Sequence, residues 1–294
     1  MTVVVVGAAG QLGRVTVERW ARDHEVVALT RREVDLADAA AVEARVAAAA
    51  PSLILNCAAW NDVDAAEDAP AAAFAVNALA VRSLAAAAAR TGATLVHYST
   101  DFVFDGADRT EPYTEADAPR PQSVYGTSKL VGEWLAATAP RAYVLRVESL
   151  FGGVYVRSSV DKLLAGLEAG EPVRVFADRT LTPSYVADVV DATARLIEIQ
   201  AEPGLYHCVN SGTTDWKELV ETLAQLTGRA ATARIEPVSF RSVPMKAKRP
   251  QYCALSNAKL RAAGVPMPEW RDALRRHLRR RASGLAADRE SAAT

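Results

Sequence analysis

The sequence predicts an α/β protein: a doubly wound parallel sheet followed by a smaller C-terminal, substrate-binding lobe. Three observations carry this. Short β-branched runs alternate with alanine-rich stretches at crossover spacing through the first half. The first run ends directly in a glycine turn that opens a helix. Beyond about residue 150 the alternation loosens, and Pro172, Pro183, Pro203, Pro237, Pro244, Pro250, Pro266 and Pro268 mark turns between short elements.

Val3 to Val6 is apolar on both faces and suits a central parallel strand. Arg14 to Arg22 has helical spacing, with Val17 and Trp20 on one side, and Glu25 to Thr30 reads as a second strand. A helix is predicted over roughly Ala37 to Ala50, stopped by Pro51. Ser52 to Cys57 follows as a strand, Pro70 to Arg90 as a helix broken by Gly92, and Thr94 to Ser99 as a strand. A helix through Tyr125 to Ala137 and a strand at Tyr143 to Val147 complete the rhythm. The domains expected are 1–150 for a cofactor and 151–281 mainly for substrate, with segments returning to the main sheet. The tail 282–294 is expected to fray.

The chain has 294 residues, 50% hydrophobic and 23% charged, which is globular composition. Lys+Arg 34 against Asp+Glu 35 gives a formal net charge of -1, so no bulk field recruits nucleic acid or an acidic membrane. No apolar run is read as long enough to span a bilayer. Cys57, Cys208 and Cys253 are odd in number and widely spaced, hence expected to be reduced, and a cytoplasmic location is expected. His24, His97, His207 and His277 lack metal-ligand spacing, so no metal site is inferred. The arginines of Arg271 to Arg281 read as the solvated basic face of a terminal amphipathic helix.

Gly7, Gly10 and Gly13 lie between the first strand and its helix. One glycine permits the tight turn, one the close approach of a pyrophosphate, and one helix–strand packing, while the helix N-terminus supplies donors to phosphate. This is the start of a Rossmann-type dinucleotide fold. At the end of the second strand stand Thr30-Arg31-Arg32, with no carboxylate before Glu33. Arginine there matches the geometry and charge of a 2′-phosphate, which favours NADPH and leaves NADH use open. Asp35-Leu36 is placed to reach the adenine edge.

Tyr125 and Lys129 stand four apart, on one face of a helix. A free phenol titrates near ~10, and a lysine one turn away favours the phenolate and lowers that value. Thr100, at the end of a predicted strand, is a natural third partner.

These features resemble the extended short-chain dehydrogenases/reductases, and most closely the dTDP-4-dehydrorhamnose reductases. The resemblance rests on Gly7 to Gly13, Tyr98 to Gly106, Pro112 to Glu115, Pro119 through Tyr125 and Lys129 to Glu133, and Arg249-Pro250 to Leu255. It implies a catalytic group of Thr100, Tyr125 and Lys129. It also implies that Gln11, Leu12, Gly13, Asp35, Leu36, Ala58, Ala59 and Trp60 line the cofactor, with Tyr98 near the nicotinamide. Thr100, Asp101 and Ser149 would face the sugar. The chain departs from the family at Phe102, where a tyrosine is usual, at Asn61, where a threonine is usual, and at Val147-Glu148-Ser149 in place of Thr-Ser-Trp. Glu148, near the site, could contact substrate or belong to a surface loop.

The implied reaction is NADPH-dependent reduction of a nucleotide-linked 4-keto-6-deoxysugar, dTDP-4-dehydro-β-L-rhamnose giving dTDP-L-rhamnose. Two alternatives stay open: another carbonyl substrate with the same chemistry, and a non-catalytic NADP-binding regulatory subunit. A homodimer also stays open.

Overall fold

The computed structural model describes residues 1–107, 109–153 and 158–292, with side chains described as far as residue 283. Six strands form one parallel sheet: β1 (Thr2–Val6), β2 (Glu25–Leu29), β3 (Leu53–Asn56), β4 (Thr94–Thr100), β5 (Ala142–Val147) and, returning from the second half, β10 (Gly204–His207). Their order is β10-β5-β4-β3-β1-β2, so the winding direction reverses between β1 and β3. A crevice opens outside the carboxyl ends of the strands at such a reversal.

Both faces of the sheet are covered, which is why its strands read as unbroken apolar runs. Val3, Val5, Leu53, Leu55, Tyr143 and Leu145 pack on one side with α1 (Gln11–Trp20) and α8 (Val186–Glu198). Val4, Val6, Ile54, Leu95 and Val144 pack on the other with α2 (Ala39–Ala49), α5 (Ala80–Thr91) and α6 (Val124–Ala136). Helix α1 starts at Gln11, three residues before the predicted Arg14, because extended Gly10 is already its N-cap. Asp38 caps α2 by accepting from Ala41 N, and Ser123 caps α6 by accepting from Gly126 N.

The single helix predicted from Pro70 is three pieces: α4 (Pro70–Phe74), a π-helical turn (Ala75–Leu79) and α5, with the short α3 (Val63–Asp68) before them. The π turn carries Asn77, whose side chain bonds both Trp60 N and Trp60 O. Contrary to the sequence expectation, Pro70–Thr91 is a 22-residue helical run long and apolar enough to cross a bilayer. In the fold it is a core helix, with Ala85, Ala87 and Ala88 buried in the same core as the sheet and α2 side chains.

The second half contributes two-stranded pieces: β6 (Leu150–Phe151) with β9 (Ser184–Tyr185), β8 (Thr180–Leu181) with β11 (Thr214–Asp215), and β7 (Val173–Phe176) with β12 (Ile235–Val238). With α7 (Ser159–Ala169) and α9 (Trp216–Leu226) these enclose their own core around Leu219, Val220 and Trp270. The short α10 (Ala258–Ala262) precedes α11 (Trp270–Ala292). The helical backbone of α11 runs to Ala292. The basic face of α11 is not merely solvated, because its arginines are recruited to both halves. Arg276 pairs with Asp188 at 2.5 and 2.7 Å, Arg280 with Glu18, and Arg281 with Glu168.

Candidate active site

The crevice at the reversal is a cavity of about 1120 Å³. Gly7 opens it with φ +74, and a Cβ on Gly7 would stand 2.7 Å from Ala58 Cα. A Cβ on Gly13 would stand 2.2 Å from the Gly7 carbonyl, so only glycine lets α1 approach β1 this closely. Gly7, Gly10, Gln11 and Leu12 line the cavity at the α1 N-terminus, and Gln11 Nε2 donates to Gly152 O at 2.8 Å. Bare backbone at a helix N-terminus is a fit for a pyrophosphate.

Arg31 and Arg32 are exposed on the cavity rim beside Asp35 and Leu36. Of the nearby carboxylates, Glu33 accepts from Thr30 N at 2.8 Å and from Thr30 Oγ1. That turn ties the acid to its own strand end and leaves the guanidinium groups to face a ligand. Asp35 Oδ1 accepts from Ala37 N at 2.9 Å, a turn bond that occupies one of its oxygens. Ala58, Ala59, Trp60 and Asn61 line the opposite wall after β3.

Thr100, Tyr125 and Lys129 meet at the inner end. Thr100 ends β4; Tyr125 and Lys129 project from one face of α6, which Gly126 allows to lie against Phe102 O, 2.3 Å from where its Cβ would be. Lys129 is 2% exposed and donates from Nζ to Tyr98 O at 2.6 Å. Burial lowers its pKa to about 8 against the raising charge of Glu133. Tyr125 is buried edge-on to Phe102, ring centroids 5.4 Å apart. Its phenol is not held low by Lys129 as expected: burial pushes it up to about 12, opposed by Thr100. The Asp101 charge adds to the effect of burial. Tyr98 reaches the cavity wall, but its ring belongs to the core and its hydroxyl bonds Thr193 Oγ1 at 2.9 Å.

Asp101, Phe102 and Ser149 also line the cavity. Glu148 does not; it is 2% exposed and turned beneath the wall, where Oε2 accepts from Thr182 N at 2.6 Å. Three residues escaped the sequence reading. Arg179 and Trp216 reach the wall from the second half, where no periodic pattern locates them. Asn77 is fully buried and joins the Trp60 loop to α6 through Ser128 Oγ at 3.0 Å. Its only signal was a polar residue inside an alanine-rich helix.

A family model, the RmlD substrate binding domain, matches residues 1–283. A dTDP-4-dehydrorhamnose reductase of Mycolicibacterium smegmatis is 37% identical over 279 residues, 92% of this chain and 83% of that protein. Among solved structures, a dTDP-4-dehydrorhamnose reductase of Clostridium acetobutylicum is 31% identical with a TM-score of 0.89, covering 95% of this chain and 98% of that one. One from Bacillus anthracis, in complex with NADP, is likewise 31% identical at TM-score 0.89, covering 94% and 98%.

Proposed function

This chain belongs to the RmlD substrate binding domain family, and on that premise we propose that it is an NADPH-dependent reductase converting dTDP-4-dehydro-β-L-rhamnose to dTDP-L-rhamnose. The observation that carries the reading is the joining of a glycine-lined phosphate cradle to Thr100, Tyr125 and Lys129 in one cavity. We read residues 1–150 as the cofactor-binding part and 151–281 as mainly the substrate lobe. The unpaired thiols of Cys57, Cys208 and Cys253 support a reducing, cytoplasmic setting.

Bound NADPH would supply hydride to the ketone carbon. The backbone after Gly7 and the α1 N-terminus would hold its pyrophosphate, and Arg31 with Arg32 its 2′-phosphate. Tyr125 Oη would give its proton to the ketone oxygen as negative charge develops there. A phenol with a raised pKa keeps that proton until it is needed. Lys129 would hold the nicotinamide ribose and, once the phenolate forms, oppose its charge from one helical turn away. Thr100 would orient the carbonyl oxygen toward Tyr125.

The test is NADPH oxidation with dTDP-4-dehydrorhamnose, with the product identified by mass and NMR. Tyr125→Phe keeps the ring and removes the proton, so turnover should fall by ~10²–10⁴-fold with cofactor affinity retained. A Tyr125→Phe enzyme with most of its activity would mean that the acid lies elsewhere.

A further inference from the structure

Behind the Thr100 hydroxyl lies a buried charge cluster that the reaction above does not use. Asp101 is 4% exposed, and its Oδ1 accepts from Thr100 Oγ1 at 3.1 Å. Its other oxygen, Oδ2, is buried with no hydrogen-bond partner among the described residues. Single atoms of Asp101, Glu148 and Cys253 lie within 4.8 Å of one another. Arg179 stands beside them, donating from Nη2 to Cys253 Sγ at 3.3 Å and from Nε to Pro250 O at 3.2 Å.

One guanidinium faces two carboxyl groups out of water. Two carboxylates this close in a dry site do not both ionise readily, so the pair retains a proton that isolated acids would have lost. A metal cation would have to displace the guanidinium that already occupies the positive position. Burial raises both acids, and for Glu148 the charge of Asp101 adds to it. The titratable and charged groups facing Asp101 are Arg179, Cys253, Glu148 and Tyr125, and Tyr252 also senses Glu148. On its other side Thr100 acts on the Tyr125 phenol, favouring the phenolate. Thr100, Asp101 and Tyr125 line the same cavity, and Thr100 Oγ1 is already bonded to Asp101, so exchangeable protons run from the carboxyl pair toward the phenol.

We propose that Asp101 and Glu148 are a proton reservoir that recharges Tyr125 through the Thr100 hydroxyl. After Tyr125 has given its proton to the ketone oxygen, the phenolate takes the Thr100 Oγ1 proton. Thr100 Oγ1 takes one in turn from the carboxyl pair, which is left with one more negative charge beside Arg179. Each transfer breaks one O–H bond and forms another, and no electron changes hands. Solvent entering the open cavity restores the reservoir's proton as product leaves. This inference rests on the ketone-reductase reading, and its first test needs no ligand.

Infrared spectra of the ligand-free protein at pH 7 should contain a buried protonated-carboxyl band that Glu148→Gln removes. No such band in the wild type would overturn the reservoir, whatever the substrate proves to be. In rapid-mixing experiments with NADPH and dTDP-4-dehydrorhamnose, Glu148→Gln, a change outside the cavity lining, should complete a near-normal first turnover. Later turnovers should slow by about 10²-fold, and a small added acid such as imidazolium should restore them. An undiminished steady state, or a first turnover slowed as much as the later ones, would overturn the proposal. In the same variant kcat should fall with rising pH about one unit earlier than in the wild type. An unmoved limb would refute the relay.

Discussion

Replacing Glu133 by glutamine tests how α6 is held in place and how Lys129 keeps its charge. Tyr125, Lys129 and Glu133 recur at intervals of four, so one helical face carries all three. Glu133 receives Arg146 Nε at 2.8 Å, Arg146 Nη2 at 2.7 Å and Ser99 Oγ at 2.5 Å. Both charged side chains are nearly inaccessible, at 3% and 6%. The other groups around Arg146, the Phe104 ring at 4.9 Å and His207 Nε2 at 3.4 Å, carry no negative charge to replace the carboxylate. Removing one partner of such a pair costs about 3–5 kcal/mol, and because glutamine keeps one acceptor we expect the lower end, about 3 kcal/mol. The assay is the urea midpoint at pH 7.5, with a thermal shift of roughly 5–10 °C as a second measure. Glu133→Leu combined with Arg146→Met removes both charges and should recover much of the loss. Glu133 is also the group that raises the Lys129 pKa against burial. Its loss should therefore weaken NADPH binding at pH 7.5 and spare it near pH 6, where the lysine is again charged. A stability loss below about 1 kcal/mol would show that water, not Glu133, satisfies Arg146, and the reasoning would fall.

Arg31→Ala with Arg32→Ala should weaken NADPH binding and leave NADH nearly unchanged, read by titration with each cofactor. Equal losses would show that these exposed arginines do not read the 2′-phosphate. His207 gives a pH signature: its Nδ1–H donates to Tyr113 O, Nε2 faces Arg146, and burial with that cation lowers its pKa from 6.5 to about 3. The unfolded chain takes up a proton that the native one refuses, so stability falls as pH drops from 6.5 toward 3, by up to about 1.4 kcal/mol per unit. That slope, from urea titrations between pH 6.5 and 4.5, should be shallower in His207→Gln; an identical slope would assign the effect to other groups.

The parallel sheet was readable because its strands are apolar on both faces and its first turn needs glycine at Gly7 and Gly13. The meeting of Thr100, Tyr125 and Lys129 followed from a strand end and a four-residue helical interval, both local properties. What could not be read is set by contacts far apart in sequence. The strands β6, β8, β9 and β11 have two residues each and exist only because their partners pin them. The π turn at Ala75–Leu79 reflects Asn77 reaching Trp60, 17 residues away. Arg179 meets Cys253 across 74 residues, and Glu148 meets Thr182 across 34. Spacing rules describe one helix face or one strand, so they are blind to such pairs. The same limit explains Tyr125: an interval of four places a lysine nearby, but burial, the Thr100 hydroxyl and the Asp101 charge decide the phenol's pKa.

The departure at Glu148-Ser149 gains a physical meaning from these long contacts. Glu148 points inward because Thr182 N and Oγ1 both donate to its Oε2. The chain must then turn sharply, and Ser149 takes it up with φ +43, in the left-handed region. Serine, like any residue with a Cβ, bears a cost of ~1–2 kcal/mol there. The aromatic surface of the cavity comes instead from Trp60 after β3 and Trp216 at the start of α9. Glu148 and Ser149 thus act together: an acid buried beneath the wall accompanies the left-handed turn that places Ser149 on the cavity wall. Restoring tryptophan at 149 alone would add a side chain to a backbone shaped for a small one, so exchange of the pair Glu148-Ser149 is the change that bears on substrate fit.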